Sequence, residues 1–150
     1  MPGFEAEIAR IIQLAVAPVF LIAGIGGILS VLLNRLKLIY QRYRRFEQQF
    51  LEDPDRSPNS EEQNELHLLD RRMTLIHRSI TLSTLAVLLV CLVIVALFTE
   101  EFIRVDVSGL VASLFVATMA TLILALIFFL LEIRIATRML RVRRDLLASR

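Results

Sequence analysis

The 150 residues of this chain are 56% hydrophobic, with a mean hydropathy of +0.65, which is too apolar for a water-soluble fold of this length. The 17 basic and 15 acidic residues give a net charge of +2, and no long basic tail points to nucleic acid. Cys91 is the only cysteine and lies within an apolar run, which excludes a disulfide framework. The composition predicts a single integral membrane domain.

Three uncharged apolar runs are each long enough to cross about 30 Å of hydrocarbon at about 1.5 Å per helical residue. They cover residues 11–33, 80–98 and 110–131. The first run could also be read as a cleaved signal peptide, but its length, the internal Pro18, and the preceding Glu5 and Glu7 favour a retained helix. We therefore predict an all-α membrane protein with three transmembrane helices.

Between the first two runs the sequence has the pattern of a helical hairpin. Residues 53–60 read DPDRSPNS, a turn signal, and Ser60 with Gln63 matches a capping box. Apolar residues recur every three or four positions on both sides of this turn and again after the third run; they are Leu32, Leu36, Ile39, Tyr43, Phe46 and Phe50, then Leu66, Leu69, Met73, Ile76 and Ile80, then Ile135, Met139, Val142 and Leu146. This pattern predicts an antiparallel hairpin over residues 34–79 and a C-terminal helix over 132–150, together a cytoplasmic three-helix bundle. The packing is either coiled-coil-like or that of an ordinary bundle.

The distribution of lysine and arginine predicts the orientation in the membrane. Most of these residues lie in segments 34–79 and 132–150, whereas the N-terminal segment has only Arg10 and the link 99–109 has only Arg104. Basic segments stay on the cytoplasmic side. We expect a multi-pass protein of the inner (cytoplasmic) membrane, with its N-terminus outside and its C-terminus in the cytoplasm.

Small residues spaced four apart mark places where membrane helices approach closely. The predicted helix-packing or oligomer-interface residues are Ala23 and Gly27 in the first run and Ser113, Ala117, Thr121 and Ala125 in the third. Packing within one protomer and packing between protomers of a homo-oligomer both explain this pattern.

Charged residues cluster at the inner ends of the apolar runs. Membrane lipids are expected partners here, because basic side chains within two turns of a run reach anionic headgroups; the predicted contacts are Arg35, Lys37, Arg134 and Arg138. Glu132 directly follows the third run. We interpret Glu132 as forming an interfacial ion pair with Arg35 or Arg78.

The usual sequence signals of catalysis are absent. The three runs contain no charged residue, and no phosphate-binding loop or nucleophile motif is recognisable. His67 and His77 are ten residues apart, which is not a chelating spacing on one helix face. We expect no enzymatic activity, no cofactor and no metal site.

Four stretches together resemble one known family. They are APVFLIAGIGGILSVLLNRL (residues 17–36), RYRRFE (42–47), the pair Arg71 and Arg72, and LFVATMATLILALIFFLLEI (114–133). The chain resembles, over roughly residues 8–138, the small bacterial membrane proteins classed as domain of unknown function 2721. The resemblance implies a bacterial inner-membrane protein with three spans, and it transfers no catalytic or binding residue.

Two classes of function fit these observations. The first is a non-enzymatic scaffold or interaction module that acts through homo-oligomerisation or through a protein partner on the cytoplasmic helices. The alternative is an oligomeric ion channel or pore with a cytoplasmic coiled-coil vestibule. A pore needs a polar lumen, for which Ser113, Thr118 and Thr121 are the candidates, and the apolar stretch 124–131 favours the scaffold.

Overall fold

A computed structural model of the chain consists of three long α-helices. They are α1 (Pro2–Glu52), α2 (Ser60–Ile103) and α3 (Ser108–Ala148). The structure describes residues 2–52, 59–103 and 107–148, with side chains described chiefly within 16–49, 62–99 and 107–137. These residues contain no β-strand, so the all-α prediction is confirmed. Most of the predicted turn, residues 53–58, lies outside the described residues.

Each helix continues well beyond the apolar run that it contains. No proline or glycine interrupts α1 between Asn34 and Glu52, and α3 continues through residues 132–148 in the same way. Three stretches are long and apolar enough to cross a membrane: Val16–Gln49, Glu62–Thr99 and Ser108–Thr137. The fold is that of a multi-pass membrane protein.

The start of α2 has one of the two hydrogen bonds of a capping box, one residue earlier than the sequence predicted. The backbone N–H of Asn59 donates to Oε2 of Glu62 at 3.1 Å, and the N–H of Gln63 donates to the carbonyl of Asn59 at 3.0 Å. Asn59 is therefore the N-cap, and not Ser60. The shift is physically reasonable, because asparagine caps as well as serine does and the carboxylate of Glu62 interacts favourably with the helix dipole.

The chain divides into two compact units, each containing segments of all three helices. Unit 1 comprises Met1–Ser30 and Thr81–Leu124, and unit 2 comprises Val31–Ile80 and Ala125–Arg150. In unit 1 the buried core is formed by Ile25, Ala86 and Val90, and partly buried apolar side chains pack around it. The core thus joins α1 to α2 in this unit.

Unit 2 has its own core, formed by Ile39, Leu69 and Ile76. Leu36, Phe46, Met73 and Ile80 pack against it. These residues belong to the three-four apolar pattern of the sequence. The apolar faces that this pattern predicted on α1 and α2 are therefore the faces that pack against each other. Tyr43 shares the pattern but is 41% exposed. In α3, the side chains of Met139, Val142 and Leu146 lie outside the described part of the chain.

Candidate functional site

Glu132 of α3 is a carboxylate with no solvent exposure, in unit 2. It lies seven residues after the buried Ala125 and therefore on the same face of the helix. Burying an ionised carboxylate is costly unless cations and hydrogen-bond donors surround it. The interior position of Glu132 therefore depends on the residues that face it.

Arg72 of α2 binds one of the two carboxylate oxygens. Its Nε and Nη2 donate to Oε1 of Glu132 at 3.0 and 2.7 Å. Its side chain is only 13% exposed. Hydrogen bonds between ions are roughly twice as strong as neutral ones, and two from one planar guanidinium also fix its orientation. Arg72 and Glu132 thus join α2 to α3.

Arg35 of α1 binds the other carboxylate oxygen. Its Nη1 donates to Oε2 of Glu132 at 3.0 Å, and its side chain is 37% exposed. The guanidinium carbon also lies 5.3 Å from the ring centre of Phe129, one turn before Glu132, in cation–π geometry. Both oxygens of Glu132 are therefore paired, each with a different helix. We call Glu132, Arg35 and Arg72 the ionic clamp.

A second polar contact between α2 and α3 lies one heptad from the clamp. The hydroxyl of Ser79 donates to the backbone carbonyl of Ala125 at 2.8 Å, and both residues are buried. Ser79 follows Arg72 by seven residues and Ala125 precedes Glu132 by seven, so the two contacts share one antiparallel register. A serine hydroxyl reaches the backbone of another helix only where both residues are small. The ionic clamp and this close approach together fix the α2–α3 pairing in unit 2.

Arg78, the other predicted partner of Glu132, has a different contact. Its guanidinium carbon lies 5.9 Å from the ring centre of Phe128. Of the two alternatives offered by the sequence, Arg35 binds Glu132, and the contact from α2 comes from Arg72. The helical phase explains the difference, because Arg72 shares the buried face of Leu69 and Ile76, whereas Arg78 lies about 200° around the helix from Ile76.

A family model described as a protein of unknown function, DUF2721, matches residues 15–142. The chain belongs to this family. The family prediction made from the sequence is thereby confirmed. No curated protein and no solved structure matches the chain.

In this DUF2721 chain, the predicted small-residue positions of α3 fall into different environments. Ser113 and Ala117 are exposed, Thr121 is partly exposed, and Ala125 is buried against Ser79. In an α-helix each residue lies about 40° around the axis from the residue four positions earlier. Ser113 and Ala125 are three such steps apart and are therefore separated by about 120°. Ser113 and Ala125 therefore cannot share one contact face.

The small residues of α1 lie on its exposed side. Ala23 and Gly27 are both exposed, and a Cβ atom added to Gly24, Gly26 or Gly27 would have no neighbour within 4 Å. Ile25, which is buried in the unit 1 core, lies about 200° around the helix from Ala23. We call Ala23, Gly24, Gly26 and Gly27 the glycine face. It has open space beside it within the described chain.

The four residues predicted to contact lipid headgroups are also in different environments. Arg35 is held by Glu132 and Phe129, whereas Lys37 and Arg134 are exposed. Lys37 lines an open groove of about 660 Å³ between α1 and α2, together with Leu36, Met73 and His77. The side chain of Arg138 lies outside the described part of the chain.

Sequence reasoning missed Arg72, Ser79 and Phe129 as site residues. One signal was available for Arg72, which falls on the same face of α2 as the apolar residues Leu69 and Ile76. A charged residue on an apolar helix face requires a buried partner of opposite charge. No comparable signal marks Ser79, whose carbonyl acceptor is 46 residues away in the sequence.

Proposed function

We propose that this protein is a non-enzymatic membrane module that acts by self-association, and that copies meet through the glycine face of α1. The proposal rests on one observation: three glycines face open space and Ala23 is exposed, while Ile25 fills the core of unit 1. Glycine within a helix costs about 1 kcal/mol relative to alanine. That cost is offset where the backbone of another helix approaches closely, as in small-residue contacts between membrane helices.

Oligomeric state in a lipid bilayer tests the proposal. Full-length protein in nanodiscs or liposomes is expected to form a defined oligomer, and Gly27→Leu is expected to shift it towards monomer because the added side chain blocks close approach. Ala120→Leu is the matched control, since Ala120 is also exposed but lies on α3 outside the predicted positions. A monomeric native protein, or equal effects of the two substitutions, contradicts the proposal.

An oligomeric pore is the second candidate function. Three hydroxyls of α3 are its candidate lining, and each donates to a carbonyl of its own helix: Ser113 to Leu110, Thr118 to Leu114 and Thr121 to Ala117. Thr118 is fully buried. Because these hydroxyl hydrogens are already bonded within α3, few donors remain to bind water in a pore, and this favours the scaffold. Ion conductance by reconstituted protein, lost in Thr121→Val, would favour the pore instead.

We further propose an inner-membrane location with the N-terminus outside and the C-terminus in the cytoplasm, from the distribution of arginine and lysine. Single cysteines at Ser57 and Ser108 test the orientation, in a background where Cys91 is replaced by alanine. A membrane-impermeant thiol reagent applied to intact cells is expected to label position 108 and not position 57. The opposite labelling would reverse the topology without affecting the self-association proposal.

A further inference from the structure

The ionic clamp has more positive than negative charge. Two guanidinium groups, of Arg35 and Arg72, face one carboxylate, of Glu132, so the cluster carries two positive charges and one negative charge, a net charge of +1. Uncompensated charge is costly where the surroundings are of low polarity. The cluster therefore favours an additional anion at whichever arginine is accessible.

The hydrogen bonds show which arginine is accessible. Arg72 uses both Nε and Nη2 on Glu132 and is 13% exposed. Arg35 contributes only Nη1 and is 37% exposed. A guanidinium has five N–H donors, and among the described contacts of Arg35 its Nε and Nη2 have no acceptor. The remaining edge of Arg35 is therefore free to bind an anion.

The position of Arg35 identifies the anion by its chemistry. Arg35 follows the end of the first apolar run, Leu33, by two residues, so it lies at the depth where phospholipid phosphate groups are found. A guanidinium edge matches the spacing of two phosphate oxygens. Contacts with Glu132 and with the ring of Phe129 hold the guanidinium in place, which lowers the entropy cost of binding.

We propose that Arg35 is a specific binding site for the phosphate group of an anionic phospholipid, with Glu132 and Phe129 as its positioning residues. This site differs from a general attraction between basic side chains and the membrane surface. Lys37 and Arg134 are exposed and form no ion pair within the described part of the chain, so they provide only the general attraction. The inference does not depend on self-association through the glycine face.

Binding of phosphatidylglycerol to the full-length protein tests the proposal. The protein is placed in neutral detergent micelles and titrated with a fluorescent short-chain phosphatidylglycerol. Arg35→Gln is expected to weaken binding about 10- to 100-fold, the range for loss of charge-assisted hydrogen bonds. Lys37→Gln and Arg134→Gln are matched controls that are expected to weaken it no more than about fivefold, as for one surface charge. Equal losses in all three variants overturn the proposal.

A competition experiment distinguishes lipid from free phosphate as the source of the anion. Inorganic phosphate at the same concentration as the lipid is expected to leave phosphatidylglycerol bound. Displacement of the lipid by inorganic phosphate would overturn the assignment of a phospholipid site.

A measurement on the native protein keeps the proposal testable if Arg35→Gln does not fold. The Nε–H signals of arginine side chains are observed by nuclear magnetic resonance of isotope-labelled protein while phosphatidylglycerol is added. The signal of Arg35, assigned with Arg35→Lys, is expected to shift at lower lipid concentrations than that of Arg134. An unchanged Arg35 signal at saturating lipid overturns the proposal.

Discussion

Arg72 and Glu132 are 60 residues apart in the sequence, and Nη2 of Arg72 lies 2.7 Å from Oε1 of Glu132. With the contact from Arg35 to Oε2, every oxygen of the buried carboxylate is paired. A buried ion pair is not always stabilising in comparison with apolar residues, but removing one member leaves the other charge buried without compensation. The ionic clamp is therefore sensitive to single substitutions, and their effects differ in predictable ways.

Glu132→Gln is expected to destabilise the protein strongly. It leaves Arg35 and Arg72 facing each other without the carboxylate, and breaking a buried pair typically costs about 3–5 kcal/mol. Unfolding in mixed micelles with increasing sodium dodecyl sulfate measures the change in the free energy of unfolding. Glu47→Gln is the control, because Glu47 is exposed on α1. Equal stability of the two variants would show that the clamp does not hold the helices together.

Replacing Arg72 is expected to cost more than replacing Arg35. Arg72 makes two hydrogen bonds to Glu132 and is nearly buried, whereas Arg35 makes one and is partly screened by solvent. We expect losses of about 3 kcal/mol for Arg72→Gln and about 1 kcal/mol for Arg35→Gln in the same unfolding assay. Arg71→Gln, at the exposed neighbouring position, is expected to change stability by less than about 0.5 kcal/mol. The reverse order of the two clamp variants would contradict the assigned geometry.

Ser79→Ala is expected to remove an interhelical hydrogen bond without creating a steric clash. Such bonds contribute about 0.6 kcal/mol on average in membrane proteins, and up to about 1.7 kcal/mol. Ser79→Val should cost more, about 1–3 kcal/mol, because the larger side chain separates α2 from the backbone of Ala125. Ser113→Ala is the control, since the hydroxyl of Ser113 bonds only within its own helix. If Ser79→Val were as stable as Ser79→Ala, the two helices would not approach closely here.

Ser83→Ala is expected not to lower the stability of the protein, in contrast to Ser79→Ala. Ser83 is fully buried, and its hydroxyl oxygen has no hydrogen-bond partner among the described residues. An unsatisfied buried polar group costs about 1–3 kcal/mol, so its removal should leave stability unchanged or raise it by about 1 kcal/mol. Thermal unfolding of native protein and variant in the same detergent measures the difference. A clear loss of stability would mean that the hydroxyl of Ser83 has a partner in the folded protein.

Much of the architecture follows from local sequence features. Apolar runs of membrane-spanning length and uninterrupted helical segments predict three long helices, and the spacing of Leu69, Met73 and Ile76 predicts the apolar face of α2. The sequence placed Arg35, Arg78 and Glu132 at the ends of apolar runs and offered Arg35 or Arg78 as the partner of Glu132; the structure pairs Arg35 with Glu132. The sequence did not predict Arg72, which supplies the contact from α2. That contact depends on which face of α2 meets α3.

The amino-acid sequence by itself determined that the protein is helical, that its apolar runs suit a membrane and that it belongs to DUF2721. Composition, periodicity and family motifs are sufficient for these conclusions because they depend only on the order of residues along the chain. Only the tertiary structure decided which charges are buried and which small residues are in contact. Arg72 contacts Glu132, which is 60 residues away in the sequence, and Ser79 contacts Ala125, which is 46 residues away. Contacts over such distances depend on how whole helices are rotated and aligned against each other, and that alignment is set by the packing of all three helices together.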